Sequence, residues 1–222
     1  MKEHAGQAVI AILLLCAVLS GAQTSKVQGQ KFTLNVTPGK DYNASTTILL
    51  FIKIPLYPQM ACWLETPDGT YVGTIYVTPK GAKKSFFSAP AKGRPEALPV
   101  WYHRQSERPP SPDAVSGATA SSEAEHVTKL SLSPGRYVAF LEVNRSYDYN
   151  ERYTKASSGV NGQPSLIYRA ELEAGSDPSH AAFAPIGTGS VDGSDGSIMP
   201  GLEGITTALT LIDHATIACS RE

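Results

Sequence analysis

The sequence predicts an all-β protein, an immunoglobulin-like antiparallel β-sandwich with long loops. Three observations carry this. Several short segments alternate apolar and polar residues with a period of two, which places alternate side chains on opposite faces of a strand. The 19 Gly and 16 Pro residues cut the 222-residue chain into short pieces, excluding long helices and coiled coils. No stretch beyond the first two dozen residues carries a helical period. Many short strands set between turn signals fit a sandwich, with a barrel as the alternative closure.

In chain order, Lys2 precedes an apolar run, Ala8 to Leu19, and then Ser20-Gly21-Ala22. This is the basic, apolar and small-residue order of a secretory signal peptide, cut after Ala22. The run is too short to span a bilayer, which needs about 20 apolar residues. Cys16 lies inside the run rather than at the cut, which argues against a lipoprotein. Residues 1–22 are therefore read as a signal peptide and 23–222 as one secreted domain, periplasmic or extracellular, with no transmembrane anchor in the mature chain.

Lys31–Val36 alternates, with Phe32, Leu34 and Val36 on one face. Thr47–Ile54 reads as a β-branched strand that stops at Pro55. Met60–Glu65 and Thr70–Thr78 flank Thr66-Pro67-Asp68-Gly69, the turn chemistry of a hairpin. Leu98–His103 reads as a short strand-like piece around Trp101. Val127–Leu132 leads through Ser133-Pro134-Gly135 into Arg136–Val143, where Tyr137, Ala139, Leu141 and Val143 share a face. Leu166, Tyr168, Ala170 and Leu172 do the same, and Ile205–Ile212 and Ala215–Ala218 close the set. Such segments suit sheets with one wet face. Three long loops interrupt them, at Pro79–Pro95, Gln105–Glu125 and Gly175–Gly204, and long loops are where function concentrates.

A formal net charge of −1 provides no electrostatic footprint for a nucleic acid. His103, His126, His180 and His214 stand apart from one another, and the spacing of a metal site is absent. Neither a Gly-x-Ser-x-Gly elbow nor a phosphate loop occurs, so an enzyme is not expected. Asp192-Gly193-Ser194-Asp195-Gly196-Ser197 offers calcium-type oxygens, but without the closing Glu of an EF-hand it reads as turn chemistry. Asn35, Asn43 and Asn144 open glycosylation sequons, which matter only in a eukaryotic secretory pathway. Beyond the leader only Cys62 and Cys219 remain. Two readings stand open for them, a disulfide closing nearly the whole domain and a pair of buried thiols.

The sharpest local pattern runs from Asp113 to Ser121, D-x-x-S-G-A-T-x-S. It resembles the flavin-attachment motif of extracytoplasmic flavin carriers. In those families a flavin transferase joins FMN, through its phosphate, to the Thr or Ser after Gly-Ala. The resemblance implies Thr119 as acceptor, Ser116, Gly117 and Ala118 as the small lead-in, and Asp113 as the opening residue. An acceptor that must enter another enzyme's active site needs small neighbours, and this loop supplies them. In the usual FMN-binding domain the motif leads into an amphipathic helix of an α+β fold. Here it leads to Ser122-Glu123-Ala124-Glu125 and a strand-like segment, so only the motif carries over.

The wider chain resembles a different group. Gly73–Thr78, Arg94–Trp101, Asp113–Thr119, Gly135–Val143 and Gly162–Tyr168, in that order, resemble the predicted bacterial periplasmic family called domain of unknown function 2271. That resemblance implies a secreted β domain and no established activity. Two functional expectations follow. One is an electron-transfer module carrying covalent FMN on Thr119, with a flavin transferase and a membrane redox protein as partners and with Trp101 or Tyr102 open equally to stacking on the ring and to core or edge packing. Arg104 or Arg108 would supply a charge for the phosphate. The other is a non-catalytic binding or structural module of the cell envelope, without a cofactor.

Overall fold

A computed structural model describes residues 27–48, 51–83, 94–105, 114, 124–175 and 177–222. The leader 1–22 therefore lies outside the described residues. So do Asp113, Ser116, Gly117, Ala118, Thr119 and Arg108. The described chain is mostly strand. β1 is Gln28–Pro38, β2 Ala44–Ile48, β3 Ile52–Leu56, β4 Gln59–Glu65, β5 Tyr71–Val77 and β6 Ala124–Leu132. β7 is Gly135–Asn144, β8 Leu166–Ala174, β9 Ser179–Ala182, β10 Ala184–Thr188, β11 Met199–Pro200 and β12 Ile212–Arg221. The helices are short: α1 Pro79–Lys83, α2 Pro99–Arg104 and α3 Lys155–Ser158.

The strands form two packed antiparallel sheets. One has the order β6-β1-β12-β9 and the other β11-β10-β8-β7-β4-β5. Between them Phe32, Leu34, Val36, Leu64, Leu141, Leu166 and Ile217 join one apolar core. The alternation read from the sequence places them there: Phe32 lies opposite Cys219, Leu34 opposite Ile217 and Val36 opposite Ala215. Side hydrogen bonds link the sheets at their margins. Thr128 Oγ1 donates to the Ile75 carbonyl at 2.6 Å, joining β6 to β5. The Glu173 N–H donates to Ser179 Oγ at 3.1 Å, joining β8 to β9. The Ser133-Pro134-Gly135 turn is a corner between sheets rather than a hairpin, because β6 pairs with β1 and β7 with β4 and β8. Tyr137 clamps it by donating its hydroxyl to the Ser133 carbonyl at 2.8 Å, a bond of the tyrosine-corner type.

Three strand assignments and one loop assignment from the sequence need correction. Thr47–Ile54 is two strands: the chain reverses so that Ile48 lies opposite Ile52, and β2 and β3 make a separate two-stranded sheet. No Gly, Pro or Asn marks that reversal in the sequence. Leu98–His103 contains helix α2, with Pro99 in its first turn and His103 and Arg104 in its last, the end preferences of a helix too short to show a period. Ile205–Ile212 holds a 3-10 turn, Thr207–Thr210, before β12 begins. Part of the loop expected at Gly175–Gly204 is strand, namely β9, β10 and β11.

Candidate functional site

The six-stranded sheet has no wet face at its centre. Every residue of β4 is buried, and so are Val138 and Phe140 of β7 on the side away from the main core. The chain from Arg94 to Gln105 covers that outer face. Leu98, Val100 and Trp101 pack on Ala61, Trp63, Val77, Val138, Phe140 and Ile167 as a second apolar cluster. Trp63 and Phe140, register partners on adjacent strands, stack with ring centroids 5.3 Å apart.

Glu142, the next outward-facing residue of β7, is wholly buried in this layer. Its Oε2 accepts the Trp101 N–H at 2.7 Å, and its Oε1 accepts the Val100 N–H at 3.2 Å and the Ser165 hydroxyl at 2.6 Å. The carboxylate thus satisfies two of the first-turn amides of α2, which have no partner inside their own helix. Burial pushes its pKa up to about 7 against the opposing pull of Ser165, Trp101 and Val100. Gly189 seals the pocket from the β10 side. A Cβ there would stand 2.5 Å from Ser165 Oγ and 2.6 Å from Pro99 Cγ.

The neighbouring polar groups are also engaged. Trp101 Nε1 donates to Thr74 Oγ1 at 3.0 Å. Trp63 Nε1 donates to Glu65 Oε1 at 2.9 Å, and Arg104 approaches the same carboxylate at 3.5 Å. Arg94 reaches Glu96 at 2.8 Å, Ser146 Oγ at 2.9 Å and Asn161 Oδ1 at 2.6 Å. Gly162, at φ +79, lies so close to the Asp148 backbone that a Cβ would stand 2.4 Å from its carbonyl carbon. Four of the sequence runs singled out above therefore meet on this one face: Gly73–Thr78 through Thr74, Arg94–Trp101, Gly135–Val143 through Glu142, and Gly162–Tyr168 through Ser165.

The acceptor run Asp113–Thr119 itself lies outside the described residues apart from Ala114, which is buried. Its attachment points are defined. The chain leaves α2 at Arg104, beside Glu65 at the last residue of β4. It re-enters β6 at Ala124, opposite Val36. Thr119 is five residues from Ala114 and five from Ala124 in the sequence. The sequence leaves Trp101 and Tyr102 open to ring stacking or to packing, and Trp101 packs in the core with its indole N–H taken. Tyr102 is half-buried and sits edge-on to His103.

Cys62 and Cys219 are buried and unbonded, so of the two readings the pair of thiols is the one the structure contains. Both face the main core, Cys62 from β4 and Cys219 from β12. Burial pushes the Cys62 thiol far up and Cys219 up to about 11, which disfavours the thiolate at both. The Asp192–Ser197 segment is built of side-chain-capped turns. Asp192 accepts the Ser194 N–H at 3.0 Å and Asp195 the Ser197 N–H at 2.7 Å. His103 Nε2 meets the Gly193 carbonyl at 3.1 Å, and His126 stacks on Tyr76 at 3.8 Å. Among the sequon asparagines, Asn144 is buried and donates to the Gln163 carbonyl at 3.1 Å, out of reach of a glycan in the folded chain.

Sequence reasoning missed Glu142. A single Glu in an alternating strand reads as solvent-facing, and only Val138 and Phe140 on the same side signal that this face is covered. Comparison with protein-family models, with curated proteins and with solved structures gave no match.

Proposed function

We propose that this chain is an exported β-sandwich carrier that bears FMN as a phosphoester on Thr119. The observation that carries the reading is the D-x-x-S-G-A-T-x-S run, in a connection tied down on both sides by described residues. Its support is threefold. The acceptor hydroxyl lies among Ser, Gly and Ala. The leader directs the chain out of the cytoplasm. The packed scaffold leaves redox chemistry to the group it carries, which supplies electron transfer when bound. A flavin transferase loads the acceptor, and a membrane redox protein exchanges electrons with it.

The test is the intact mass of the chain co-expressed with an active flavin transferase. The expected result is a gain of one FMN moiety in the parent chain and none in Thr119→Ala. Unmodified parent protein beside a modified control substrate overturns the proposal.

The alternative is a binding module of the cell envelope without a cofactor. One observation favours it, an open cleft of about 520 Å³ beside Arg152, Tyr153, Ser190, Asp192 and Glu203. A screen of envelope saccharides and peptides against the unmodified chain separates the two readings.

A further inference from the structure

The β2–β3 hairpin stands apart from both large sheets. Its base is fixed: Tyr42 is fully buried and Tyr57 packs against the main core. The Gly39 N–H donates to the Leu211 carbonyl at 2.9 Å and the Asp41 N–H to the Thr210 carbonyl at 3.1 Å. From that base exposure climbs toward the tip. Leu56 is half-buried, while Ile54 is 37%, Ile52 53% and Phe51 86% exposed. Apolar side chains thus become more exposed the further they lie from the body, and a folded chain in water does not favour this without something to receive them.

We propose that this hairpin docks the protein on an anionic lipid surface, with Phe51 and Ile52 entering the acyl boundary and Lys53 at the headgroups. Two features select a bilayer. The strand faces are divided: Ile52, Ile54 and Leu56 share one side, and Lys53 and Pro55 the other. The charge is also one-sided, since no Asp or Glu occurs from Tyr42 to Leu64 in a chain of net charge −1. Lys53 is the hairpin's one formal charge, and a basic residue beside an apolar wedge favours anionic lipid. A second copy pairing edge to edge is opposed by Pro55, which removes a donor from β3, and by the charge of Lys53. The inference is independent of Thr119.

The test places the reporter on the hairpin of the full chain, so that binding through residues 8–19 does not mimic the result. Phe51→Trp is mixed with vesicles of phosphatidylethanolamine and phosphatidylglycerol containing brominated acyl chains, and with phosphatidylcholine vesicles. Trp63 and Trp101, both buried, give a background subtracted with the parent chain. The expected result is a blue shift and bromine quenching of the introduced indole, strongest on the anionic vesicles. In that background Ile52→Ser lowers the vesicle affinity about tenfold and Lys53→Glu about fivefold, with unchanged circular dichroism. An indole that stays in water at saturating lipid overturns the proposal, as does equal quenching on both vesicle types. A dimer that Phe51→Ser dissolves, in a chain without quenching, assigns the tip to a second copy and also overturns it.

Discussion

Leu141 and Glu142 are consecutive in β7, equally inaccessible to water, and have opposite surroundings. Leu141 faces the core between the sheets, where its neighbours are apolar side chains from both layers. Glu142 faces outward, under a cover contributed by residues some forty positions earlier, and holds that cover by accepting hydrogen bonds from two backbone N–H groups. The inner face is closed by shape and area alone. The outer face is closed by area plus buried ionisable groups, Glu142 and Glu65, whose burial is costly unless they are hydrogen-bonded or neutral. Strand alternation thus specifies which side a residue faces, and a separate piece of chain decides whether that side is dry.

The largest test asks whether the outer layer is a true core. Trp63→Ala is expected to cost about 3–5 kcal/mol and Leu141→Ala about 2–5 kcal/mol in denaturant unfolding. An outer layer that is only a loose cover would give Trp63→Ala a cost well below that of Leu141→Ala, and the comparison would fail.

The next test uses pH. The Glu142 pKa is near 7 in the folded chain against an ordinary 4.5, so the folded state holds the proton more tightly. Its stabilising contribution is complete below about pH 4.5 and is lost as pH rises through 7, a change of about 3 kcal/mol. When protonated, the carboxyl donates to Ser165 Oγ and still accepts from Trp101. Glu142→Gln is expected to flatten this part of the stability profile between pH 5 and 8, and Leu141→Ala to leave its shape intact. Equal slopes in parent and Glu142→Gln would remove Glu142 from the account.

A smaller effect belongs to Gly189. Its replacement by Ala drives a methyl into Ser165 and Pro99 and is expected to cost about 1–3 kcal/mol, with a weaker Trp101 near-ultraviolet signal than the parent. The smallest belongs to the hairpin tip. Phe51→Ser is expected to change unfolding stability by no more than about 0.5 kcal/mol, because Phe51 is 86% exposed. A loss above 2 kcal/mol would show that the tip is packed in solution.

Much of the fold was legible. Lys31–Val36, Arg136–Val143 and Leu166–Leu172 show their period openly, and Thr66-Pro67-Asp68-Gly69 forms the expected turn, with the Gly69 N–H on the Thr66 carbonyl at 2.9 Å and φ of +87. Helix α2 was not legible because six residues are too few for a period of 3.6 to emerge. The reversal between Ile48 and Ile52 was hidden because its residues are strand formers. For the candidate site, the Thr119 motif is wholly a matter of sequence. The Glu142 cluster is a matter of tertiary contact: the runs that hold Thr74, Trp101, Glu142 and Ser165 stand out in the sequence, but nothing along the chain shows that these four side chains meet.

The placement of β1 has a consequence for timing. Its two hydrogen-bonded neighbours are β6 and β12, so the four-stranded sheet joins the two ends of the described chain. At ordinary ribosomal speed the residues of β12 follow those of β1 by on the order of ten seconds. Throughout that interval β1 carries Phe32, Leu34 and Val36 with at least one bare edge. Such long-range pairing also folds slowly, over roughly milliseconds to seconds even when the chain is complete. A nascent chain of this topology therefore reaches the end of its synthesis with the β12 edge of β1 still unpaired.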